Sequence, residues 1–186
     1  GHPCKQMGMS AWDKKGFTPE QIETSLRGRK IWNFLLSPGP VATRLYQENY
    51  PLPYEIIEVG HPRNDVLATA SEDSSRAARQ LIGVPEGKIA VLFAPTYRDL
   101  KSSNPWSSPI VDAVSVTELA AQLGDEYVAL LRCHPANGRF SEEKKDGAGI
   151  IDVTFERDVN NLILAADIGI FDYSSIRFDF SVTGKP

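Results

Sequence analysis

Three segments of this 186-residue chain limit its fold more than any others: KIAVLFA (88–94), YVALLR (127–132) and DIGIF (167–171). Each is a nearly unbroken apolar run of strand length, and amphipathic stretches separate them. A strand with one wet face alternates apolar and polar residues. A strand without alternation must bury both faces, which is the situation in a parallel sheet covered by helices on either side. The pattern therefore predicts an α/β fold, a doubly wound parallel sheet. Ligands of such folds sit beyond the carboxyl ends of the strands, so the residues that follow each strand become the candidates for chemistry.

The remaining elements follow the same logic. IWNFLLS (31–37) reads as a buried strand and Val41–Asn49 as a helix. EIIEVG (55–60) is a further strand, and HPRNDVL turns into a short helix. A helix over Ser74–Ile82 has Ser71 or Asp73 as its cap and Gly83 as its stop. Val116–Leu123, Asp158–Ala166 and Ser174–Val182 are helical, and Ile150–Val153 is a short strand. Ser102–Pro109 and Asn137–Gly149 carry the polar, Gly- and Pro-rich composition of loops.

Composition excludes several classes. A formal net charge of -4 argues against a general nucleic-acid binder, which needs a basic surplus. Two cysteines, Cys4 and Cys133, match no zinc spacing and no disulfide framework, so reduced thiols in a cytosolic compartment are expected. No apolar run approaches the roughly 18 residues of a membrane span, and no signal peptide is visible. The opening GHPCKQMG and the closing SVTGKP read as cut ends, so the chain is expected to be a fragment truncated at both termini.

The strand ends carry an unusual set of groups. EIIEVG leads to His61-Pro62-Arg63-Asn64-Asp65, and KIAVLFA to Pro95-Thr96-Tyr97-Arg98-Asp99. YVALLR leads to Cys133-His134-Pro135, and DIGIF to Asp172-Tyr173-Ser174-Ser175. This is the rim expected of an anion site. Ser174 and Ser175 open a helix, whose first turn offers free N–H groups and a partial positive charge to a diphosphate. Service as a plain N-cap by Ser174 or Asp172 is the competing reading. Arg63 and Arg98 are of the type that forks onto phosphate oxygens, against ion pairs with Asp65 and Asp99. Arg98 follows a buried strand and a Pro-Thr turn, which aims it at the crevice. His134 suits a general base, an acid or a phosphate donor, against a structural histidine bonded to backbone. Asp179 reads as a solvated charge beside Arg177 or as a group reaching a ribose. His61 is as readily structural as functional.

No metal is expected, because the three histidines are scattered and no carboxylates cluster at ligand spacing. GxGxxG, the Walker GxxxxGK[ST] and GxSxG are all absent, which lowers the weight of dinucleotide dehydrogenases, P-loop enzymes and α/β-hydrolases.

With these residues placed, the chain resembles the CDP-glycerol glycerophosphotransferase family of teichoic acid polymerases and primases. GHPCKQMG, GHPRNDVL, LFAPTYRD, LLRCHP and LILAADIGIFDYSSIRFDFSVTGKP carry the resemblance, in order, from residue 1 to residue 186. It implies that the whole chain is the Rossmann-like, donor-nucleotide-binding lobe of a glycosyltransferase-B type fold. Members move glycerol phosphate, or ribitol phosphate, from a CDP-activated donor to a hydroxyl of a lipid-linked acceptor and release CMP. No cofactor is implied. The location implied is the cytoplasmic face of a bacterial membrane, with peripheral contact by the full-length protein. A surface around Trp12, Lys14, Lys15, Phe17, Arg27, Arg29, Lys30 and Trp32 is the candidate for that contact, against an ordinary amphipathic surface. His134 matches one of the family's two histidines. The other precedes a Gly-Thr-Pro-Leu-Lys motif whose Gly aligns with Gly1, so it falls just before this chain. His2 and Cys4 depart from that motif, and the fragment is expected to be inactive alone.

The resemblance implies in-line attack on the β-phosphorus, with His134 catalytic and Arg63, Arg98, Asp172, Ser174, Ser175 and Asp179 holding the donor. Rival readings are a sugar-nucleotide glycosyltransferase or epimerase of the same architecture, and a degenerate domain that binds nucleotide without catalysis.

Overall fold

The computed structural model describes residues 7–95, 116–133 and 149–186. They belong to two compact units, one ending at Asp65 and one beginning at Val66. The first unit holds α1 (Gly8–Lys14), α2 (Pro19–Arg27), β1 (Phe34–Ser37), α3 (Pro40–Asn49), β2 (Glu55–Glu58) and a 3-10 turn (Pro62–Asn64). β1 and β2 pair in parallel, from Phe34 opposite Glu55 to Ser37 opposite Glu58. α3 connects them and packs on both.

The strand expected from Ile31 begins only at Phe34, and it is not buried throughout. Backbone bonds Lys30 N–H to Arg27 O and Trp32 N–H to Arg29 O coil the chain there instead of extending it, which leaves Ile31 80% exposed. Along β1 only Ser37 is fully buried, while Phe34 is 60% exposed. Ser37 is tolerated inside because its hydroxyl accepts from Thr43 Oγ1 at 2.8 Å and donates to the Gly39 carbonyl at 3.0 Å. The apolar pattern marks no helix before residue 31. α2 is there, set by Pro19 in its first turn and by a reciprocal cap between Thr18 and Gln21.

The second unit holds α4 (Asp65–Ala68, begun by the last residue of the first), α5 (Glu72–Ile82), β3 (Ile89–Ala94), α6 (Val116–Leu123), β4 (Tyr127–Leu131), β5 (Ile150–Asp152), α7 (Val159–Ala165), β6 (Ile168–Phe171) and α8 (Ile176–Ser181). Its four strands are all parallel, in the order β5-β4-β3-β6. Side chains alternate across the sheet, as the pleat requires. Ala90, Leu92, Ala94, Val128 and Leu130 join one core with Ala78 of α5, Leu162 and Ile163 of α7 and Phe180 of α8. Phe93, Ala129, Leu131 and Cys133 form the opposite core, against Leu119 and Ala120 of α6. Both faces of β3 and β4 are therefore dry, which is why neither strand alternates in sequence.

α5 settles the question of its cap in favour of Ser71, whose side chain accepts from the Ser74 N–H at 3.2 Å. Asp73 instead pairs with Arg76 at 2.8 Å. Gly83 ends the helix in the left-handed region, φ 82°, where a side chain would be strained. α8 is shorter than expected and starts at Ile176, because Asp172–Ser175 are taken up by the turn that leaves β6. The expected loop Ser102–Pro109, and all of Asn137–Gly149 except its last residue, lie outside the described residues. Among the described residues no helix is long and apolar enough to cross a membrane.

Candidate functional site

The strand order sets the place where a ligand fits. From β3 the chain adds β4 and then β5 on one side, and it returns to place β6 on the other side of β3. Loops that leave two neighbouring strands toward opposite faces open a crevice at their carboxyl ends. β3 and β6 are such a pair, with Ala94 in register with Phe171. The residue after Phe171 is Asp172, so the turn Asp172–Ser175 stands at the carboxyl edge of the sheet, at the switch.

The turn is built locally. The Asp172 carboxylate accepts from the Ser174 N–H at 3.3 Å, an Asx turn that folds the chain back after the strand. Ser175 occupies the cap position of α8 without making a side-chain cap bond. Both serines are half-buried, and neither hydroxyl makes a hydrogen bond to any described residue. Of the two residues read as a plain cap, Ser174 makes no such side-chain bond, while Asp172 does carry the local structural bond. Beneath the turn, the Phe171 and Phe180 rings pack edge to face at 5.1 Å.

Asp179 is not the solvated charge that its position suggested. It is 5% exposed, on the buried side of α8 with Ile176 and Phe180. It does not pair with Arg177 either. That guanidinium donates to the Asp172 carbonyl at 3.4 Å and lies 4.8 Å from the Phe178 ring centroid. Burial follows from helical spacing, because Asp179 and Phe180 are three and four residues after Ile176.

β4 ends at the same edge. The Arg132 N–H donates to the Phe93 carbonyl at 2.9 Å, and its guanidinium donates to the Glu156 carbonyl at 3.0 Å. Burial pushes the Arg132 pKa down, and nearby Glu156 partly restores it. In the sequence Arg132 is the last residue of the apolar run YVALLR. A cation closing an otherwise apolar run was the available signal for a rim residue. Cys133 is buried, and its N–H donates to Thr154 Oγ1 at 3.1 Å, which fixes the point from which the chain leaves for His134. His134 and Arg98 lie outside the described residues, as do His2 and Cys4.

Arg63 belongs to the first unit, where it is exposed on the 3-10 turn that the Asn64 N–H closes onto the His61 carbonyl at 2.8 Å. It lies close enough to Tyr46 to oppose the rise that burial gives the Tyr46 phenol pKa. The same unit carries a cation–π cluster. The Arg29 guanidinium is 5.5 Å from the Trp12 ring centroid, 5.8 Å from that of Trp32 and 5.4 Å from that of Tyr50.

Known proteins match this chain along its whole length. A family model described as CDP-Glycerol:Poly(glycerophosphate) glycerophosphotransferase covers residues 1–186. A teichoic acid glycerol-phosphate transferase of Staphylococcus aureus is 29% identical over 100% of this chain and 49% of its own length. A teichoic acid poly(glycerol phosphate) polymerase of Staphylococcus epidermidis is 31% identical over 91% of this chain and 24% of its own. The solved wall teichoic acid polymerase TagF superposes with a TM-score of 0.79 at 30% identity, covering 91% of this chain and 42% of that one. A variant of TagF soaked with CDPG superposes with a TM-score of 0.76. The chain thus spans about half, or less, of the length of these relatives.

Proposed function

This chain belongs to the CDP-glycerol:poly(glycerophosphate) glycerophosphotransferase family, and on that premise we propose that it forms the donor-binding part of a transferase. That enzyme moves glycerol phosphate, or a similar polyol phosphate, from a CDP-activated donor to a hydroxyl of a teichoic-acid-type acceptor. The observation that carries the reading is the pair of half-buried serine hydroxyls, without described partners, at the carboxyl edge of the β3/β6 switch. Hydroxyls held there, beside the first N–H groups of a helix, suit a diphosphate. In this reading the chain, residues 1–186, is the Rossmann-like, donor-nucleotide-binding lobe of a glycosyltransferase-B type fold.

The reaction is an in-line displacement. The acceptor oxygen bonds to the β-phosphorus, the bond from that phosphorus to the bridging oxygen breaks, and CMP leaves with the electron pair. His134 takes the hydroxyl proton or donates to the phosphate. Arg98 offsets phosphate charge, and Ser174 and Ser175 hold the diphosphate. Asp172 shapes the turn that presents the serines. Buried Asp179 acts from beneath, orienting α8 or meeting the nucleotide sugar. The acceptor is lipid-linked, and the protein works at the inner face of the membrane. The Arg29 cluster, with Ile31 and Phe34 exposed near it in sequence, has the mixed cationic and aromatic character that suits a headgroup boundary.

Calorimetry with CDP-glycerol, CDP, CMP and UDP-glucose tests the reading, run beside a Ser174→Ala/Ser175→Ala double variant. Cytidine ligands should bind in preference to the uridine ligand, and the variant should weaken them with little change in stability, since the hydroxyls make no described bond in the fold. A preference for UDP-glucose would replace the reading with a sugar-nucleotide enzyme.

A further inference from the structure

Lys185 closes the block that contains the serine turn, and the roles above do not use it. Its ammonium donates to three carbonyls at the end of α7: Ile163 at 3.2 Å, Leu164 at 3.1 Å and Ala166 at 2.7 Å. A helix leaves its last carbonyls without partners, and a cation there also meets the negative end of the helix dipole. The contact is long-range in the chain but local in space. Ala166 immediately precedes the segment that becomes β6, and Lys185 follows α8. The chain therefore runs out along β6, reverses at Asp172–Ser175, returns along α8 and is tied back to its own starting point.

Further bonds hold the returning segment. The Lys185 N–H donates to Thr183 Oγ1 at 3.3 Å, and that hydroxyl donates to the Phe180 carbonyl at 2.8 Å. The Gly169 N–H of β6 donates to the Pro186 carbonyl at 2.9 Å. At the other end of the loop, the Phe171–Phe180 ring pair presses α8 onto β6. The lysine tie stands at the base of this circuit, where α7 ends and β6 begins. Four strand residues, about 13 Å at the usual rise, separate its base from the turn.

We propose that Lys185 is a positioning residue: by tying the end of α8 to the end of α7, it sets where the Ser174 and Ser175 hydroxyls stand beyond β6. The inference rests on the reading of that turn as the diphosphate site. With the tie cut, α8 pivots on the ring pair, and a shift of a fraction of an ångström at the turn weakens bonds to a diphosphate while the sheet stays folded.

The test uses the natural full-length polypeptide and Lys185→Met and Lys185→Arg variants, with CDP as the probe, at a temperature where circular dichroism shows each variant folded. Lys185→Met should weaken CDP binding about tenfold and raise KM for CDP-glycerol more than it lowers kcat. Lys185→Arg, which keeps donors and charge, should recover most of the loss. A folded methionine variant that binds CDP as the parent does, with only a lower melting temperature, overturns the proposal. If the methionine variant does not fold, Thr183→Val, which removes the hydroxyl that holds the Lys185 backbone, is read against the same two outcomes. A parent protein that binds no cytidine nucleotide refutes the diphosphate reading itself, and the positioning role falls with it. That result is distinct from a parent that binds and a variant that binds equally well.

Discussion

Replacing Asp167 with alanine should cost the second unit about 1.5–4 kcal/mol, and the structure shows where the figure comes from. One carboxylate oxygen of Asp167 accepts from the Ala90 N–H at 2.7 Å and from Arg79 at 2.7 Å. The first bond joins the base of β6 to the base of β3, ahead of the ladder pairing Val91 with Ile168. Ala90 is 0% exposed, so without the carboxylate its N–H is buried and unpaired, at a cost of about 1–3 kcal/mol. The ion pair adds little. The Asp167 side chain is 46% exposed, and Arg79 keeps the Ala165 and Lys88 carbonyls as acceptors, so its loss costs about 0.5–1 kcal/mol. Asp167→Asn keeps an oxygen for Ala90 and should cost only about 1 kcal/mol. Urea unfolding followed by far-ultraviolet circular dichroism measures both. An alanine variant within 0.5 kcal/mol of the parent, about the noise of a neutral surface change, would refute the buried N–H argument. So would an asparagine variant as unstable as the alanine one.

Other expectations follow from packing and charge. Leu130, fully buried at the centre of the sheet, should lose about 2–5 kcal/mol on change to alanine, read as a lower urea midpoint with an unchanged slope. A methyl at Gly169 would overlap the Phe171 ring and lie 3.0 Å from Phe180 Cε1. Gly169→Ala should therefore cost about 1–3 kcal/mol and weaken CDP binding through the ring pair beneath the turn. Burial lowers the Lys185 pKa below its ordinary 10.5, with Asp167 opposing and Arg79 adding to the fall. Between the folded value and 10.5 the unfolded chain then holds more proton than the native one, so this group makes stability rise with pH across that window. Urea midpoints measured up to pH 10.5 should show the rise in the parent and a flatter profile in Lys185→Met.

Much of the second unit is legible without coordinates, because its strands advertise their environment. KIAVLFA and YVALLR lack alternation, and the reason is visible in the two separate cores on either side of Leu92 and Phe93. Cap signals also read well. Ser71 and Gly83 bound α5, although Ser71 became distinguishable from Asp73 only once the side-chain bonds were known. IWNFLLS misled for the opposite reason. Its apolar content is that of a strand, but the backbone is coiled through Trp32, and local hydrogen bonds outweighed the burial that the composition suggested. The start of α2 was readable in Thr18-Pro19-Glu20-Gln21, a capping signature that an apolar-run reading passes over.

For the candidate site, the sequence by itself determined which groups are available: a hydroxyl pair before a short helix, a histidine and arginines after strands, and motif order sufficient to suggest the family. Those are properties of residue type and spacing along one chain. The tertiary structure alone decided that β6 lies beside β3 and not at the far edge, which puts Asp172–Ser175 at the switch of the sheet. It also decided that Asp179 is buried, and that Lys185 bonds to carbonyls some twenty residues earlier in the chain. Strand order and long-range bonds depend on which surfaces meet after the chain has folded, and a linear pattern does not encode that pairing residue by residue.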